Sequence, residues 1–441
     1  MNAPADTIVA AATPPGRGGI GIVRVSGPRA RAIAKAMLGR VPRERQAVTA
    51  AFASESGEAI DTGLALWFAA PHSFTGEDVL ELHGHGGPLV MDMLIARAMA
   101  LGARPARAGE FSERAFHNGK LDLAQAEAIA DLIQAGSREA AQAAAASLTG
   151  AFSREVSALA TQVLELRTYV EAAIDFPDED AEFLKNPEVG ARLSDIAARF
   201  ERIERAASQG RALTEGLTVV IAGRPNAGKS SLLNMLAGHD VAIVTPFPGT
   251  TRDLLRERVS IDGLPLYMTD TAGLRDAPDF IEEEGIRRAR TEMRRADLVV
   301  YLIDTTVGMA PGELEALPDN TLVIVAWNKC DLARKPAGED GLEISALTGA
   351  GLDGLRGRLK AAAGYRAGEA GVYSARRRHL DALGRARSLL EVAEARLAGR
   401  TGFELVAEEL SLAHRALGEI TGEVTSDELL GAIFAGFCIG K

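Results

Sequence analysis

Apolar residues recur three and four positions apart in four stretches of the chain. Phe152, Val156, Leu159, Val163, Leu166, Val170 and Ala173 form the first series, and Leu193, Ile196, Phe200, Ile203 and Ala207 the second. Leu383, Leu390 and Leu397 carry the same period, as do Phe403, Val406, Leu410, Ala413, Leu417 and Ile420. At 3.6 residues per turn such spacing lines one face of a helix, so these stretches are expected to be bundle helices. A turn around Phe176-Pro-Asp-Glu-Asp180 is expected to interrupt the first pair. The alanines from Ala140 to Ala146 read as helix propensity with no chemistry of their own.

The first 118 residues carry a different pattern. Short β-type runs at Thr7 to Ala11, Ile20 to Val25, Gly63 to Phe68 and Val79 to Leu82 alternate with apolar helical segments at Ala30 to Leu38 and Pro88 to Met99. That predicts an α+β domain. Between the two helical pairs, the strand-like runs Leu217 to Ala222, Leu266 to Thr269 and Thr321 to Trp327 predict an α/β domain. The expected division is 1–118, a helical domain of 119–210 with 372–441, and an α/β domain of 211–371 inserted into the helical one at an exposed loop.

Composition adjusts this picture modestly. A length of 441 residues suggests about three domains. No apolar run approaches the ~20 residues of a membrane span, and Met-Asn-Ala-Pro-Ala-Asp has no signal-peptide character, so the expected location is the cytoplasm. Two cysteines, Cys330 and Cys438, exclude a disulfide framework. The net charge of −11 argues against a protein that coats polyanions indiscriminately. The densest basic cluster, Arg376-Arg-Arg-His379, reads as the solvated start of a helix.

The chemistry concentrates in the α/β part. Gly223-Arg-Pro-Asn-Ala-Gly-Lys-Ser230 lies between an apolar strand and a helical run from Ser231. Glycines at its ends let backbone N–H groups and the helix N-terminus face an anion. Asn226, Ala227, Gly228, Lys229, Ser230 and Ser231 are therefore candidate nucleotide contacts, with Lys229 for the β and γ phosphates and Ser230 for Mg2+. Asn328-Lys-Cys-Asp331 ends another apolar strand, and a carboxylate at Asp331 can accept two hydrogen bonds from guanine, a donor pair adenine lacks. Together with Lys329, Asn328, Ser345 and Ala346 this predicts GTP. Asp270-Thr271-Ala272-Gly273 would serve the Mg2+ shell and the γ phosphate, and Gly249, Thr250 and Thr251 form a switch-like segment in which Thr251 completes Mg2+ coordination. Leu274 follows where small Ras-like GTPases carry a water-orienting Gln, and its side chain cannot hydrogen-bond water. Glu282, Glu283 and Glu284 are nearby substitutes, though such a run also suits a solvated helix start.

Two motif-like strings are set aside. Gly16-Arg-Gly-Gly-Ile-Gly21 spells a dinucleotide fingerprint but opens a strand where that motif needs a helix. His83-Gly-His85 lacks further ligands at metal spacing and reads as a glycine-rich strand-to-helix turn.

Over essentially its whole length the chain resembles the bacterial tRNA uridine-modification GTPases of the MnmE or TrmE family. The resemblance rests on Val219 to Asn234, Gly249-Thr-Thr-Arg-Asp253, Asp270 to Arg275 and the terminal Phe437-Cys-Ile-Gly-Lys441. It extends to Ala12 to Gly19, Phe74 to Asp78, Gly109 to Ala115, Lys120 to Glu127 and Asp175 to Glu179. It implies a folate-binding-like α+β N-terminal domain that mediates dimerisation, an all-α helical domain and a P-loop GTPase domain. A one-carbon folate, 5-formyltetrahydrofolate or methylenetetrahydrofolate, is carried onto Arg24, Glu81, Lys120 and Lys441. It implies that Glu282 orients the attacking water and that Asn226, Thr245, Phe247 and Thr250 hold a K+ ion as two G domains meet. Cys438 becomes a candidate for the modification chemistry in place of a buried structural thiol. The implied reaction installs an aminomethyl or carboxymethylaminomethyl group at C5 of the wobble uridine of certain tRNAs. A homodimer and an FAD-containing partner of the MnmG or GidA family, in a heterotetramer or larger complex, are implied with it. The runner-up, a ribosome-assembly GTPase that binds rRNA, predicts an appended basic domain, which this acidic chain does not offer. A folate-dependent aminomethyltransferase with a vestigial G domain is opposed by the intact Lys229, Ser230, Asp270 and Asp331.

Overall fold

The computed structural model describes residues 6–175, 187–239, 256–270, 291–314, 317, 321–366, 372–399, 403–437 and 440. The chain divides into two compact units, Met1–Ala130 with Gly418–Lys441, and Asp131–Leu417.

The first unit is built on a six-stranded sheet. Its strands are β1 (Thr7–Ala11), β2 (Gly18–Ser26), β3 (Val48–Ala53), β4 (Ala59–Phe68), β5 (Val79–Gly86) and β6 (Ala103–Pro105), in the order β3-β4-β5-β2-β1-β6. All neighbours are antiparallel except β1 and β6. Side chains alternate along a strand, so Leu80 and Leu82 of β5 are buried while Glu81 and His83 point to the other face. The apolar face packs with α1 (Ala30–Leu38) and α2 (Pro88–Ala100), burying Val23, Val25, Ile33, Met37, Phe52, Trp67 and Leu94. Burial of each such large side chain is worth about 1.5–3 kcal/mol.

Three elements of this unit depart from the sequence expectation. Strands β3 and β6 and the helix α3 (Glu110–His117) had no predicted counterpart. His83-Gly-His85 lies inside β5, so it is strand and not the expected turn. Gly18 to Gly21 forms the start of β2, as its rejection as a nucleotide fingerprint required. The unit closes through a late segment: α4 (Leu123–Gln134) buries Leu123, Ala126 and Ala130 against Leu430, Phe434 and Phe437 from the end of the chain.

The second unit joins long helices to a second sheet. The helices include α5 (Arg138–Leu148), α6 (Ala151–Asp175), α7 (Pro187–Glu215), α8 (Lys229–His239), α9 (Leu352–Ala362), α10 (Arg377–Gly399) and α11 (Phe403–Thr421). The last helix of the chain, α12 (Asp427–Ala435), belongs to the first unit and is capped by Ser426 Oγ, which accepts from Leu429 N at 3.3 Å. The predicted stripes on α6 and α7 are buried from Phe152 to Ala173 and from Leu193 to Ala207. On α10 and α11 the stripes are likewise buried, except that Leu397 and Phe403 are half-buried. Gly210 lets α7 come close to the following chain, since a Cβ there would collide with the Tyr373 carbonyl oxygen. In the Arg376 cluster, Arg377 opens α10 and is exposed as expected, but His379 departs from the solvated role: it is 2% exposed, packs at 5.3 Å from the Phe152 ring and accepts from Arg376 N through Nδ1. The imidazole of α10 packs against Phe152 of α6, which the basic composition concealed. The turn expected around Phe176 to Asp180 lies outside the described residues.

The second sheet comprises β7 (Leu217–Gly223), β8 (Arg256–Ile261), β9 (Leu264–Asp270), β10 (Leu298–Asp304), β11 (Leu322–Asn328) and β12 (Leu342–Glu343), in the order β12-β11-β10-β7-β9-β8. It is parallel throughout except for the β8–β9 hairpin. Chain order reverses on either side of β7, so the carboxyl end of that strand is where an open α/β sheet receives a ligand. Ala140 and Ala143 of α5 and Leu213 of α7 share the core of this sheet with Val219, Ile221 and Leu232.

Candidate functional site

The loop after β7 sits at that reversal. Asn226 adopts φ +62° and Gly228 φ +94°, and a Cβ on Gly228 would run into the Asn328 side-chain amide. Gly228 is thus a close-approach glycine. Ala227 is buried, while Asn226, Ser230 and Ser231 are exposed. Lys229 opens α8 and is 7% exposed, its Nζ donating to the carbonyls of Gly223 at 3.0 Å and Arg224 at 2.9 Å.

Asn328 joins three sequence motifs. It is 2% exposed at the end of β11, its Nδ2 donates to Ala227 O at 2.7 Å, and its Oδ1 accepts from Ala346 N at 2.8 Å. One buried amide therefore fixes the phosphate-type loop and the Ser345-Ala346 turn together. Ser345 is fully buried and its Oγ accepts from Thr348 N at 3.1 Å. Lys329 follows at φ +67°, its Nζ bound to Asp304 Oδ2 at 2.6 Å, and Asp331 is exposed on the turn beyond. Burial pushes the Asp304 carboxyl up, but the Lys329 contact and bonds from Thr306 outweigh it and hold it below the usual range. Sequence reasoning did not single out Asp304. Its only signal was its place at the end of an apolar strand, opposite Asn328 in the sheet register, like Asp270 at the end of β9.

The remaining nucleotide and ion candidates lie outside the described residues: Thr245, Phe247, Gly249, Thr250, Thr251, Thr271, Ala272, Gly273 and Glu282. Asp270 is described as the last residue of β9.

In the first unit, β2 and β5 place Arg24 directly opposite Glu81. Arg24 Nε donates to Glu81 Oε1 at 2.8 Å, and a second guanidinium nitrogen donates to Gly440 O at 3.3 Å. The guanidinium carbon lies 5.7 Å from the Phe74 ring centre and 5.8 Å from that of Phe111, within cation–π range. Glu81 Oε2 meets His83 Nε2 at 3.0 Å. His83, weighed earlier as a metal ligand, is thus a carboxylate partner, and His85 likewise bonds Asp61 through Nδ1 at 2.8 Å. Lys120 reaches a different point of the same neighbourhood, donating to Pro71 O at 2.9 Å, three residues before Phe74. Cys438 and Lys441 lie outside the described residues.

The first unit also holds an ionic network centred on the buried Glu110 and Arg114. Glu110, 2% exposed, accepts from Arg104 at 2.5 and 2.9 Å, from Arg107 N at 2.8 Å and from Arg114 at 3.2 Å. Arg114 also meets Asp6 at 2.7 Å and Glu77 at 3.1 Å. Burial pushes the Glu110 carboxyl up, and the hydrogen bonds from Arg104, the Arg107 N–H and Arg114 more than reverse that, bringing it to about 2.

Comparison with known proteins gives the family. The tRNA modification GTPase MnmE of Nitrosococcus oceani is 54% identical over 445 residues, spanning 99% of this chain and 97% of its own. The chain belongs to the MnmE family. A second member, from Photobacterium profundum, is 53% identical and spans the full length of both chains. The MnmE helical domain matches residues 123–438, and the domain described as GTP-binding protein TrmE N-terminus matches residues 7–120. Among solved structures, Era from Aquifex aeolicus bound to GDP and aluminium fluoride is 30% identical, covers 39% of this chain and 67% of its own, and gives a TM-score of 0.27. As an MnmE-family protein, the chain is a tRNA modification GTPase with a TrmE-type N-terminal domain, a helical domain and a P-loop GTPase-like region. No helix among the described residues is long and apolar enough to cross a membrane.

Proposed function

We propose that this protein hydrolyses GTP in the cytoplasm to drive modification of the wobble uridine of certain tRNAs at C5. In this reading it acts as a homodimer with an FAD-containing partner of the MnmG or GidA family, in a heterotetramer or larger complex. The domain division in this reading would be 1–118, 119–210 with 372–441, and 211–371, with the end of the helical part, Gly418–Lys441, packing in the first compact unit. The observation that carries the reading is the likeness, over nearly the whole chain, to proteins named tRNA modification GTPase.

The nucleotide site would use the loop from Asn226 to Ser231. Its support is the Gly228 approach to Asn328, which leaves no room for a side chain there, as a loop whose backbone wraps closely around an anion requires. Lys229 would meet the phosphates, and Asp331, with Asn328, Ser345 and Ala346 shaping its surroundings, would accept from guanine. Ser230 and Thr251 would hold Mg2+, while Asn226, Thr245, Phe247 and Thr250 would hold K+; bound there, these ions supply positive charge to the phosphates as the γ phosphoryl leaves. Asp270 and the 271–273 segment would face the γ phosphate, and Glu282 would orient the water.

Arg24, Glu81, Lys120 and Lys441 would bind the folate, which supplies the one-carbon unit. The Glu81 carboxylate fits that role because two hydrogen bonds leave it further acceptor capacity for pterin N–H donors. Cys438 would take part in the modification step.

The test is GTP turnover in KCl and in NaCl at equal ionic strength, followed by tRNA modification with the flavoprotein partner and 5-formyl- or methylenetetrahydrofolate. K+-dependent turnover, lost in Glu282→Ala with GTP binding retained, and folate-dependent labelling of the wobble uridine are the expected results. Equal slow turnover in both salts removes the K+ role. Turnover without any uridine product from the complete mixture removes the wobble-modification reading.

A further inference from the structure

Arg224, the first residue after β7, is tied by its side chain to a segment 89 residues later. Its Nε donates to Glu313 Oε1. Glu313 is itself anchored: Oε2 accepts from Ala310 N at 2.9 Å, and the carboxylate is hydrogen-bonded to the buried Tyr301 of β10. Burial, followed by the Glu313 charge and its hydrogen bond, pushes the Tyr301 hydroxyl up to about 12, so it remains a neutral donor at physiological pH. On the other side, the Arg224 carbonyl accepts from Lys229 Nζ at 2.9 Å and from Ala227 N at 3.3 Å. The side chain of Arg224 is thus fastened to the sheet while its backbone carries the loop lysine.

We propose that Glu313 is a positioning residue for GTP binding, acting through Arg224 to hold the loop in the conformation that presents Lys229. This rests on the reading of that loop as the phosphate site. Isolated ion pairs at a surface contribute little. This one differs because its carboxylate is fixed by Tyr301 and Ala310 before Arg224 arrives. Without the latch, residues 224–228 lose a side-chain tether, and the loop must be ordered when the nucleotide binds. Ordering that side chain then has to be done at the moment of binding, so a several-fold loss of affinity is expected, with the chemical step little changed.

The experiment compares GTP turnover and fluorescent-GDP affinity of the full-length protein with those of Glu313→Ala, Glu313→Gln, Arg224→Ala, the Arg224→Ala/Glu313→Ala double variant and Lys229→Ala. Expected for Glu313→Ala is a rise of about five- to tenfold in KM and in the GDP dissociation constant, with kcat within about twofold. Arg224→Ala should match it, and the double variant should be no worse than either alone. Glu313→Gln, which keeps one acceptor oxygen for Arg224, should fall between Glu313→Ala and the parent. An unchanged KM in Glu313→Ala, or additive effects in the double variant, overturns the latch. Lys229→Ala separates the two readings: retained nucleotide affinity there overturns the phosphate-site reading and the latch with it, whereas loss there with normal Glu313→Ala overturns the latch alone.

Discussion

Replacing Glu110 by Gln removes one charge from the ionic network of the first unit while keeping the side-chain shape. The carboxyl is brought from its ordinary 4.5 to about 2 by Arg104, Arg107 N–H and Arg114 against the opposing effect of burial. A drop of that size corresponds to about 3 kcal/mol of stability at neutral pH. Because the folded value is the lower one, the contribution is fully present above pH 4.5 and is lost as pH falls through about 2; at pH 3 about 1 kcal/mol remains. The two tryptophans give a clean assay, since Trp67 is buried in the first sheet and Trp327 in the second. In a Trp327→Phe background, fluorescence reports unfolding of the first unit alone. For a unit of this size each kcal/mol moves the midpoint by about 2–4 °C, so Glu110→Gln should lower it by about 6–12 °C at pH 7. The gap should close to less than half that by pH 3. An unchanged midpoint at pH 7, or a gap of constant size down to pH 3, refutes the assignment of this stability to the ionised carboxylate.

Asn328→Ala should leave Ala227 O and Ala346 N without their buried partner, at about 1–3 kcal/mol each, and weaken nucleotide binding by more than tenfold in an equilibrium titration. Gly210→Ala places a methyl against the Tyr373 carbonyl and should destabilise the second unit by more than about 2 kcal/mol, read as an earlier Trp327 transition on heating. Arg24→Ala should abolish calorimetrically detected binding of 5-formyltetrahydrofolate while leaving GTP turnover intact. A folate affinity equal to the parent's would remove Arg24 from that site.

The long helices were legible because nothing competes with their signal. From Phe152 to Ala173 every stripe position is buried, and the same holds from Leu193 to Ala207. Helix α3 was not legible because its buried face carries Glu110, Ser112 and Arg114 alongside Phe111 and Ala115, so an apolar period does not mark it. Strand β3, Val-Thr-Ala-Ala-Phe-Ala, alternates too weakly to stand out, and β6 is only three residues long. Within the candidate sites the motif residues were visible but their partners were not. Lys329 and Asp304 are 25 residues apart, Arg224 and Glu313 are 89 apart, and Arg24 meets Gly440 across 416. The first pair follows from the pairing of β10 with β11 and the other two from how the chain folds back on itself, neither of which local spacing encodes. His379 illustrates the converse error, since a basic run suggested solvent where packing against Phe152 decides the matter.

The closure of the first unit by Leu430, Phe434 and Phe437 imposes an order on biosynthesis. A ribosome completes the strands β1 to β6 early, yet the α4 surface stays uncovered while nearly 300 further residues are made. During that interval the apolar side chains of Leu123 and Ala126 are exposed to chaperones and to other nascent chains, and the Arg24 guanidinium has no Gly440 carbonyl beside it. The region synthesised first therefore matures last, so premature termination in the final stretch should release chains whose second unit is folded and whose first is unfinished.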